Sequence, residues 1–212
     1  MSTPKQDPSE RAARLTEIRG QQRRAEGRRT ALITGVSALV AVVLIAVTTI
    51  VLVGERRRQA DVAEAAAGDI SGVQTFTDLS ATHVQEPVQY EQTPPVGGDH
   101  AGAWANCGTY TEPIPSELAV HSLEHGAVWI TYGPDLPGEQ VQRLTDLAES
   151  NAYVLLSPFE GLPEQPVVAS AWGTQLALES ADDVRLEQFV VKYQQGPQTP
   201  EPGAPCTGGV DA

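Results

Sequence analysis

The chain has 212 residues, enough for one domain with appended segments, and its net charge of −13 is unevenly distributed. Residues 1–29 hold eight basic and four acidic residues, whereas residues 59–212 hold three basic and 22 acidic residues. The acidic part should repel nucleic acid and anionic lipid headgroups, which argues against both as its partners, and it should attract divalent cations or basic partners. The alternative is that the charge only keeps an exported domain soluble. This division indicates that the two parts of the chain work in different environments.

An uncharged, strongly apolar segment follows the basic N-terminal region, and we predict a transmembrane helix over residues 30–53. A bilayer core requires about 20 apolar residues in helical form. A cleaved signal peptide is the alternative, but its apolar region is usually only about 7–15 residues long. Here Arg56–Arg58 follow the segment, where a signal peptide would have small residues at a cleavage site. Residues 54–72 are predicted to form a helical stalk or linker.

The flanking charge predicts the orientation of this helix. Eight basic residues precede it and three follow it, so residues 1–29 are predicted to be a cytoplasmic tail. The chain is then a single-pass cell-membrane protein whose C-terminal domain is extracytoplasmic. The lipid bilayer is the predicted partner of residues 30–53, nucleic acid is not a partner, and no protein partner follows from the sequence.

The two cysteines agree with an exported domain. Cys107 and Cys206 both follow the apolar segment, which is the usage expected in an oxidising compartment. A disulfide between them would close a loop of nearly 100 residues and contribute about 4–5 kcal/mol in the chain-entropy model. Two free thiols are the alternative. The Pro- and Gly-rich tail, residues 197–212, is predicted to be held to the domain by Cys206 alone.

The predicted elements of the outer domain, residues 73–196, begin with loops and an edge strand before residue 93 and a turn over residues 93–98. Strands are predicted over residues 127–132, 152–156 and 167–172 from their β-branched and apolar residues. A helix opens at Pro137, and a second opens at a capping box formed by Ser180 and Asp183 and stops at Gly196. This order predicts an α+β fold, a small sheet with helices on one side, preceded by the transmembrane helix.

The four histidines provide the candidate binding chemistry. His121 and His125 lie one turn apart if their segment is helical, close enough to share a metal ion, but about 13 Å apart in a strand. Ser116 as an N-cap and Gly126 as a terminator favour the helix. The predicted metal ligands are His100, His121 and His125, with His83, Asp99 and Glu124 as further candidates.

One divalent transition metal, Zn or Cu(II), fits these donor types. A thioether-rich Cu(I) site is excluded, because Met1 is the only methionine. The alternative is that the histidines are structural residues that connect loops through hydrogen bonds.

The run from His121 to His125 also matches the His-x-x-Glu-His pattern of inverted zinc peptidases, with Glu124 as the general base. Gly126 ends the helix at once and the domain is small for such a peptidase, so this hydrolase is only an alternative. No nucleophile elbow, redox Cys pair or phosphate-binding loop is present in the sequence, and no other catalytic residue is predicted.

Two motifs together resemble a known bacterial family, catalogued as domain of unknown function 3105. The first is the segment from Thr93 to His100, and the second runs from Val120 to Val128. The resemblance covers roughly residues 73–195 and implies a membrane anchor with an exported domain, but no activity. Gly97 stands where the first motif more often has Ser, so any role of that hydroxyl is absent here.

Three functions therefore remain open. The first is a non-enzymatic, membrane-tethered module that binds a metal or a ligand through its histidines. The second is a metal-dependent hydrolase that uses Glu124. The third is a purely structural component of the cell envelope.

Overall fold

The computed structural model describes residues 8–162 and 165–212, and the chain divides into two compact units, residues 1–58 and 59–212. Residues 1–7, the beginning of the basic N-terminal tail, lie outside the described residues.

A single long helix, α1, spans Pro8–Ala67. Within the described residues it is the one helix that is long and apolar enough to cross a membrane, judged by length and composition. Its apolar residues between Leu32 and Val53 are exposed. The hydroxyl groups of Thr48 and Thr49 donate to the carbonyls of Leu44 and Ile45 at 2.8 Å, so these polar groups are satisfied inside the helix. The helix predicted over residues 30–53 is present, and it continues through the predicted stalk to residue 67.

The second unit contains eight strands and three helices in the described residues. In chain order they are β1 (Gln74–Thr75), β2 (His83–Val84), β3 (His100–Ala101), β4 (Gly108–Thr109), α2 (Ser116–Glu124), β5 (Val128–Tyr132), α3 (Gly138–Glu149), β6 (Val154–Pro158), β7 (Val167–Ala171), β8 (Thr174–Leu178) and α4 (Val184–Tyr193). Six strands form one mixed sheet in the order β1-β8-β7-β5-β6-β4. The remaining two, β2 and β3, form a separate parallel pair.

Both faces of the sheet are covered, because its central strands carry apolar side chains on each side. On one face, Ile130 and Leu156 pack against Leu144 of α3 and Phe189 of α4. On the opposite face, Trp129 and its neighbours pack against α2. The α+β class is confirmed: α3 and α4, predicted to open at Pro137 and near Ser180, share one face of the sheet, whereas the short helix α2, which carries His121 and ends at the C-cap His125, covers the other face.

Two predicted helix starts need correction. Helix α2 begins at Ser116 after Pro115, and no side chain caps it, so Ser116 is the first helical residue rather than the cap. Helix α4 begins three residues later than the Ser180 cap predicts: Asp183 is the N-cap and accepts a hydrogen bond from the Arg185 N–H. The Ser180 hydroxyl instead hydrogen-bonds Gln140 of α3.

Strand β8 was not predicted. It returns antiparallel to β7 after a two-residue turn, Trp172–Gly173, in which Gly173 has φ +68°. Its half-buried Gln175 and Ala177 alternate with the buried Leu176 and Leu178, a strand pattern that the sequence does contain.

The prediction that only Cys206 holds the tail was wrong. The Tyr153 hydroxyl donates to the Ala204 carbonyl at 2.9 Å, and the side-chain oxygen of Gln195 accepts from the Gly203 N–H at 2.8 Å. Val210 exchanges backbone hydrogen bonds with Trp104 and Asn106. The tail is therefore packed along its length against the domain.

Candidate metal centre

Helix α2 contributes two polar residues of the centre, His121 and Glu124, and its C-terminal geometry fixes their direction. The Gly126 N–H donates to the Leu123 carbonyl and the Ala127 N–H to the Ser122 carbonyl, both at 2.9 Å, which is a Schellman motif. Gly126 has φ +91°, so glycine is required at this position. The helix thus ends at Glu124 with His125 as its C-cap, so His121 and Glu124 lie in the last turn and His125 follows directly.

The pair β2–β3 brings the other two histidines to the same place. His83 and His100 are directly opposite each other in the register of this parallel pair. Their ring centroids are 4.9 Å apart, and the His83 ring stacks on that of His121 at 4.7 Å. Residues far apart in sequence therefore meet above the last turn of α2.

The Glu124 carboxylate lies at the centre of the imidazoles. Its Oε2 atom is 3.0 Å from Nε2 of His100, 3.6 Å from Nε2 of His83 and 4.0 Å from Nε2 of His121. One potential ligand atom from each of these four residues lies within 4.8 Å of all the others. The candidate metal centre, defined as His83, His100, His121 and Glu124, thus has three nitrogen donors and one oxygen donor.

Backbone carbonyls orient three of the histidine rings. Nδ1 of His100 is 2.8 Å from the Gly98 carbonyl, and Nδ1 of His121 is 2.7 Å from the Ala101 carbonyl. Nδ1 of His125 is 2.8 Å from the carbonyl of Pro205 in the tail. A carbonyl only accepts, so each Nδ1 carries the hydrogen, and in the neutral ring Nε2 carries a lone pair. This arrangement is the usual one for histidines that bind a metal through Nε2.

The centre is buried except on the side of His83. His100 is fully buried, and His121 and Glu124 are 4% exposed, whereas the His83 side chain is 52% exposed. Burial lowers the pKa of His121 below its usual 6.5; the Ala101 carbonyl partly opposes this shift, and the three neighbouring imidazoles add to it. The neutral imidazole, the form that binds a metal, is therefore favoured at His121.

The structure groups the predicted ligands differently from the sequence. His83 and Glu124, named only as further candidates, lie in the centre with His100 and His121, whereas His125 lies outside this group of four. The Nε2 atom of His125 faces Nε2 of His121 at 3.1 Å and the Glu201 carboxylate at 3.6 Å. Glu201 was missed, because nothing near it in sequence marks it as a ligand.

The structure does not place Asp99 in the centre either. Its backbone carbonyl accepts a hydrogen bond from the Tyr90 hydroxyl at 2.8 Å. Its Oδ1 atom is buried and has no hydrogen-bond partner within the described ranges. Asp99 therefore shapes the loop before His100.

The C-terminal tail closes one side of this region. The Glu201 N–H donates to the backbone carbonyl of Glu124 at 3.1 Å, and Pro205 holds the His125 ring. The next residue, Cys206, forms a disulfide with Cys107, with Cα atoms 5.3 Å apart. The disulfide thus lies beside the segment that orients His125, and neither sulfur is a thiolate ligand.

The profile of one protein family matches residues 83–208, more than half of the chain; the family is described as "Protein of unknown function (DUF3105)". The chain belongs to this family. The segment that matches DUF3105 begins at His83 and includes both cysteines, so it extends further into the tail than the expected end near residue 195. No curated protein and no solved structure matches the chain significantly. Membership in DUF3105 therefore identifies the domain and leaves its chemistry to be argued from the centre.

Proposed function

We propose that this protein is a membrane-anchored module that binds one divalent transition metal ion at the candidate metal centre. The observation that carries the proposal is the contact of 3.0 Å between Nε2 of His100 and Oε2 of Glu124. Because Nδ1 of His100 donates to the Gly98 carbonyl, the neutral ring presents a lone pair to a carboxylate oxygen. Two acceptors in contact need either an added proton or a cation between them.

The surroundings of this contact favour a metal ion over a proton. A proton shared by His100 and Glu124 gives no reason for His83 and His121 to converge on the same carboxylate oxygen. A metal ion accounts for all four donors together. The net charge of residues 59–212 also attracts divalent cations.

The donor set is suited to Zn or Cu(II). Imidazole nitrogen and carboxylate oxygen bind both ions, usually at about 2.0–2.2 Å for Zn. The partly exposed His83 leaves one side of the centre accessible to solvent, so the ion can exchange through that side.

The proposal includes the location of the module. The apolar part of α1 is suited to a bilayer, the basic residues before it favour a cytoplasmic N-terminus, and the disulfide is typical of an oxidising compartment. We therefore place residues 1–29 in the cytoplasm, residues 30–53 in the cell membrane, residues 54–72 in a stalk, and residues 73–212 outside the cytoplasm.

The hydrolase alternative assigns a different role to Glu124. A general base must face a metal-bound water, whereas Glu124 faces three imidazoles and is itself well placed as a ligand. If Glu124 is a ligand, Glu124→Gln weakens metal binding. If it is a base, the same variant keeps its metal.

The test is metal analysis and calorimetry on the full-length chain in detergent, purified without a polyhistidine tag. We expect His100→Ala and Glu124→Gln each to lower the affinity by at least about 100-fold, since replacing even residues that only support a ligand typically costs 10–100-fold. Glu139→Gln, an exposed acid on α3, is the matched control and should bind like the wild type. Absence of Zn, Cu(II) and Ni binding by the folded chain would contradict the proposal and leave the structural-component hypothesis.

A further inference from the structure

His121 and His125 form a second contact in which neither of the two facing nitrogens carries a hydrogen. Their Nε2 atoms are 3.1 Å apart, and each Nδ1 atom is within 2.8 Å of a backbone carbonyl. Both Nδ1 atoms therefore donate, and both neutral rings point a lone pair at the other. This contact is separate from the one between His100 and Glu124.

We propose that His121, His125 and Glu201 form a second position for a divalent transition metal, beside the first. Two imidazole nitrogens that bind one tetrahedral ion at about 2.0–2.1 Å lie roughly 3.3 Å apart. The observed 3.1 Å is close to that separation. The Glu201 Oε2 atom, 3.6 Å from Nε2 of His125, supplies the carboxylate.

The second position rests on the proposed function. With two ions bound, the six donor residues are shared equally between the two positions. Because Nδ1 of His121 is committed to the Ala101 carbonyl, this residue can bind only one ion, through Nε2. That atom is 3.1 Å from His125 and 4.0 Å from Glu124. When both ions are present, His121 belongs to the second position, and the first retains His83, His100 and Glu124. Each ion then has two imidazoles and one carboxylate, with open coordination positions for solvent or a ligand.

The second position is partly exposed and has a natural reporter. The Glu201 side chain is 55% exposed, whereas His125 is 5% exposed, so an ion can reach the position from the side of the tail. The Trp104 ring centroid is 4.8 Å from that of His125 and 5.6 Å from that of His121. Trp172 is the indole beside the first position, 6.0 Å from His100. Cu(II) quenches a nearby indole, so Trp104 is the reporter closer to the second position and Trp172 the reporter closer to the first.

The experiment measures Zn stoichiometry by elemental analysis, and Cu(II) quenching of tryptophan fluorescence, on the full-length chain in detergent without a polyhistidine tag. We expect two ions per chain in the wild type and one in Glu201→Gln and His125→Gln. The Glu201 side chain is largely exposed, so Glu201→Gln should leave the fold intact even if His125→Gln does not. The exposed Glu91→Gln is the matched control and should keep both ions. Quenching in the Trp172→Phe chain should weaken with Glu201→Gln, whereas quenching in the Trp104→Phe chain should be retained; Trp129 is present in both chains and gives a common background.

Three results would overturn the second position. If the wild type binds one ion per chain and both Glu201→Gln and His125→Gln keep that ion, the second position is refuted and the proposed function stands. One ion lost equally in His100→Ala and His125→Gln would mean a single shared site. No ion in the wild type would refute both proposals together.

Discussion

Nε2 of His121 lies 3.1 Å from Nε2 of His125, although the two residues share a helix and four other imidazole and carboxylate groups are within reach. The contact follows from the i,i+4 spacing along α2, and the way the helix ends holds His125, its C-cap, in place. Gly126 reverses the chain in a conformation with φ +91°, and Gln195 packs against it and donates from its side chain to the His125 carbonyl. The histidine pair thus depends on one glycine that binds nothing itself.

Gly126→Ala should therefore disturb both the fold and the centre. The new methyl group would collide with the side chain of Gln195, and the left-handed backbone would be strained as well. We expect a loss of about 1–3 kcal/mol in the free energy of unfolding, measured by urea denaturation. Gly138→Ala in α3 is the matched control, since a Cβ there meets nothing within 4 Å, and it should be neutral or stabilising. Equal stability of the two variants would contradict this account of the helix end.

The affinity for the metal should fall as the pH decreases. Imidazole binds a metal and imidazolium does not, so affinity should be constant above about pH 7 and fall below about 6.5, the ordinary histidine pKa. The pKa of His121 lies below that value because of burial, so its contribution is retained to lower pH than that of an unperturbed histidine. Calorimetric titrations between pH 8 and pH 5 check this. Affinity that rises on acidification would indicate that carboxylates alone hold the ion.

The sequence predicted the part of the centre that is local in the chain. The spacing of His121 and His125, with Gly126 after them, is sufficient to predict a helix end with both rings on one face. The spacing was not sufficient to predict that His125 lies outside the group of four donors. Membership in that group is decided by Glu124, whose side chain points toward His83 and His100.

The remaining donors depend on long-range contacts that no local pattern encodes. His83 reaches the centre through a strand pair of only two residues, and Glu201 reaches it through a tail that looked unstructured. Short pairs and irregular tails carry little periodicity, so sequence patterns alone do not place them. The central strands and the buried faces of α3 and α4 were predictable, because apolar periodicity records burial directly.

The orientation in the membrane can be tested by proteolysis. Protease added to spheroplasts should digest the chain beyond Arg58 and leave residues 1–29 intact, because the basic residues that precede the apolar segment favour the cytoplasm. Lysed cells are the control, in which both parts should be cleaved. Protection of the C-terminal domain in intact spheroplasts would reverse the proposed orientation.

The cap of α4 offers a test of stability that does not involve the centre. Asp183 accepts from the Arg185 N–H at 3.0 Å, and hydrogen bonds from the Arg185 side chain lower the pKa of this carboxyl. Asp183→Ala should cost about 1 kcal/mol at pH 7. Since the folded pKa is depressed, this contribution is present above about pH 3.9, the unfolded value, and is lost as the pH falls through the folded pKa. Urea denaturation at pH 7 and pH 3 should show a smaller difference at pH 3, with the exposed Asp135→Ala as the control.

The disulfide should affect the second metal position more than the first. Non-reducing mass spectrometry of protein purified from the envelope should show Cys107 linked to Cys206, and free thiols would contradict this. The Cys107→Ser/Cys206→Ser variant removes a loop constraint worth about 4–5 kcal/mol in the chain-entropy model. Hydrogen bonds with the side chains of Tyr153 and Gln195 still hold the tail at residues 203–204, so it should loosen without detaching.

The consequence for the ligands follows from the position of Pro205, the residue before Cys206. Its carbonyl orients His125, and Glu201 lies four residues earlier in the same segment. The first position is held by β2, β3 and α2, which the disulfide does not join. In the double serine variant we expect amide hydrogen exchange to increase in residues 197–212. Cu(II) quenching should weaken when this variant is combined with Trp172→Phe, which leaves Trp104, and should be retained when it is combined with Trp104→Phe, which leaves Trp172. Equal loss at both tryptophans would show that the disulfide stabilises the whole domain and not this segment.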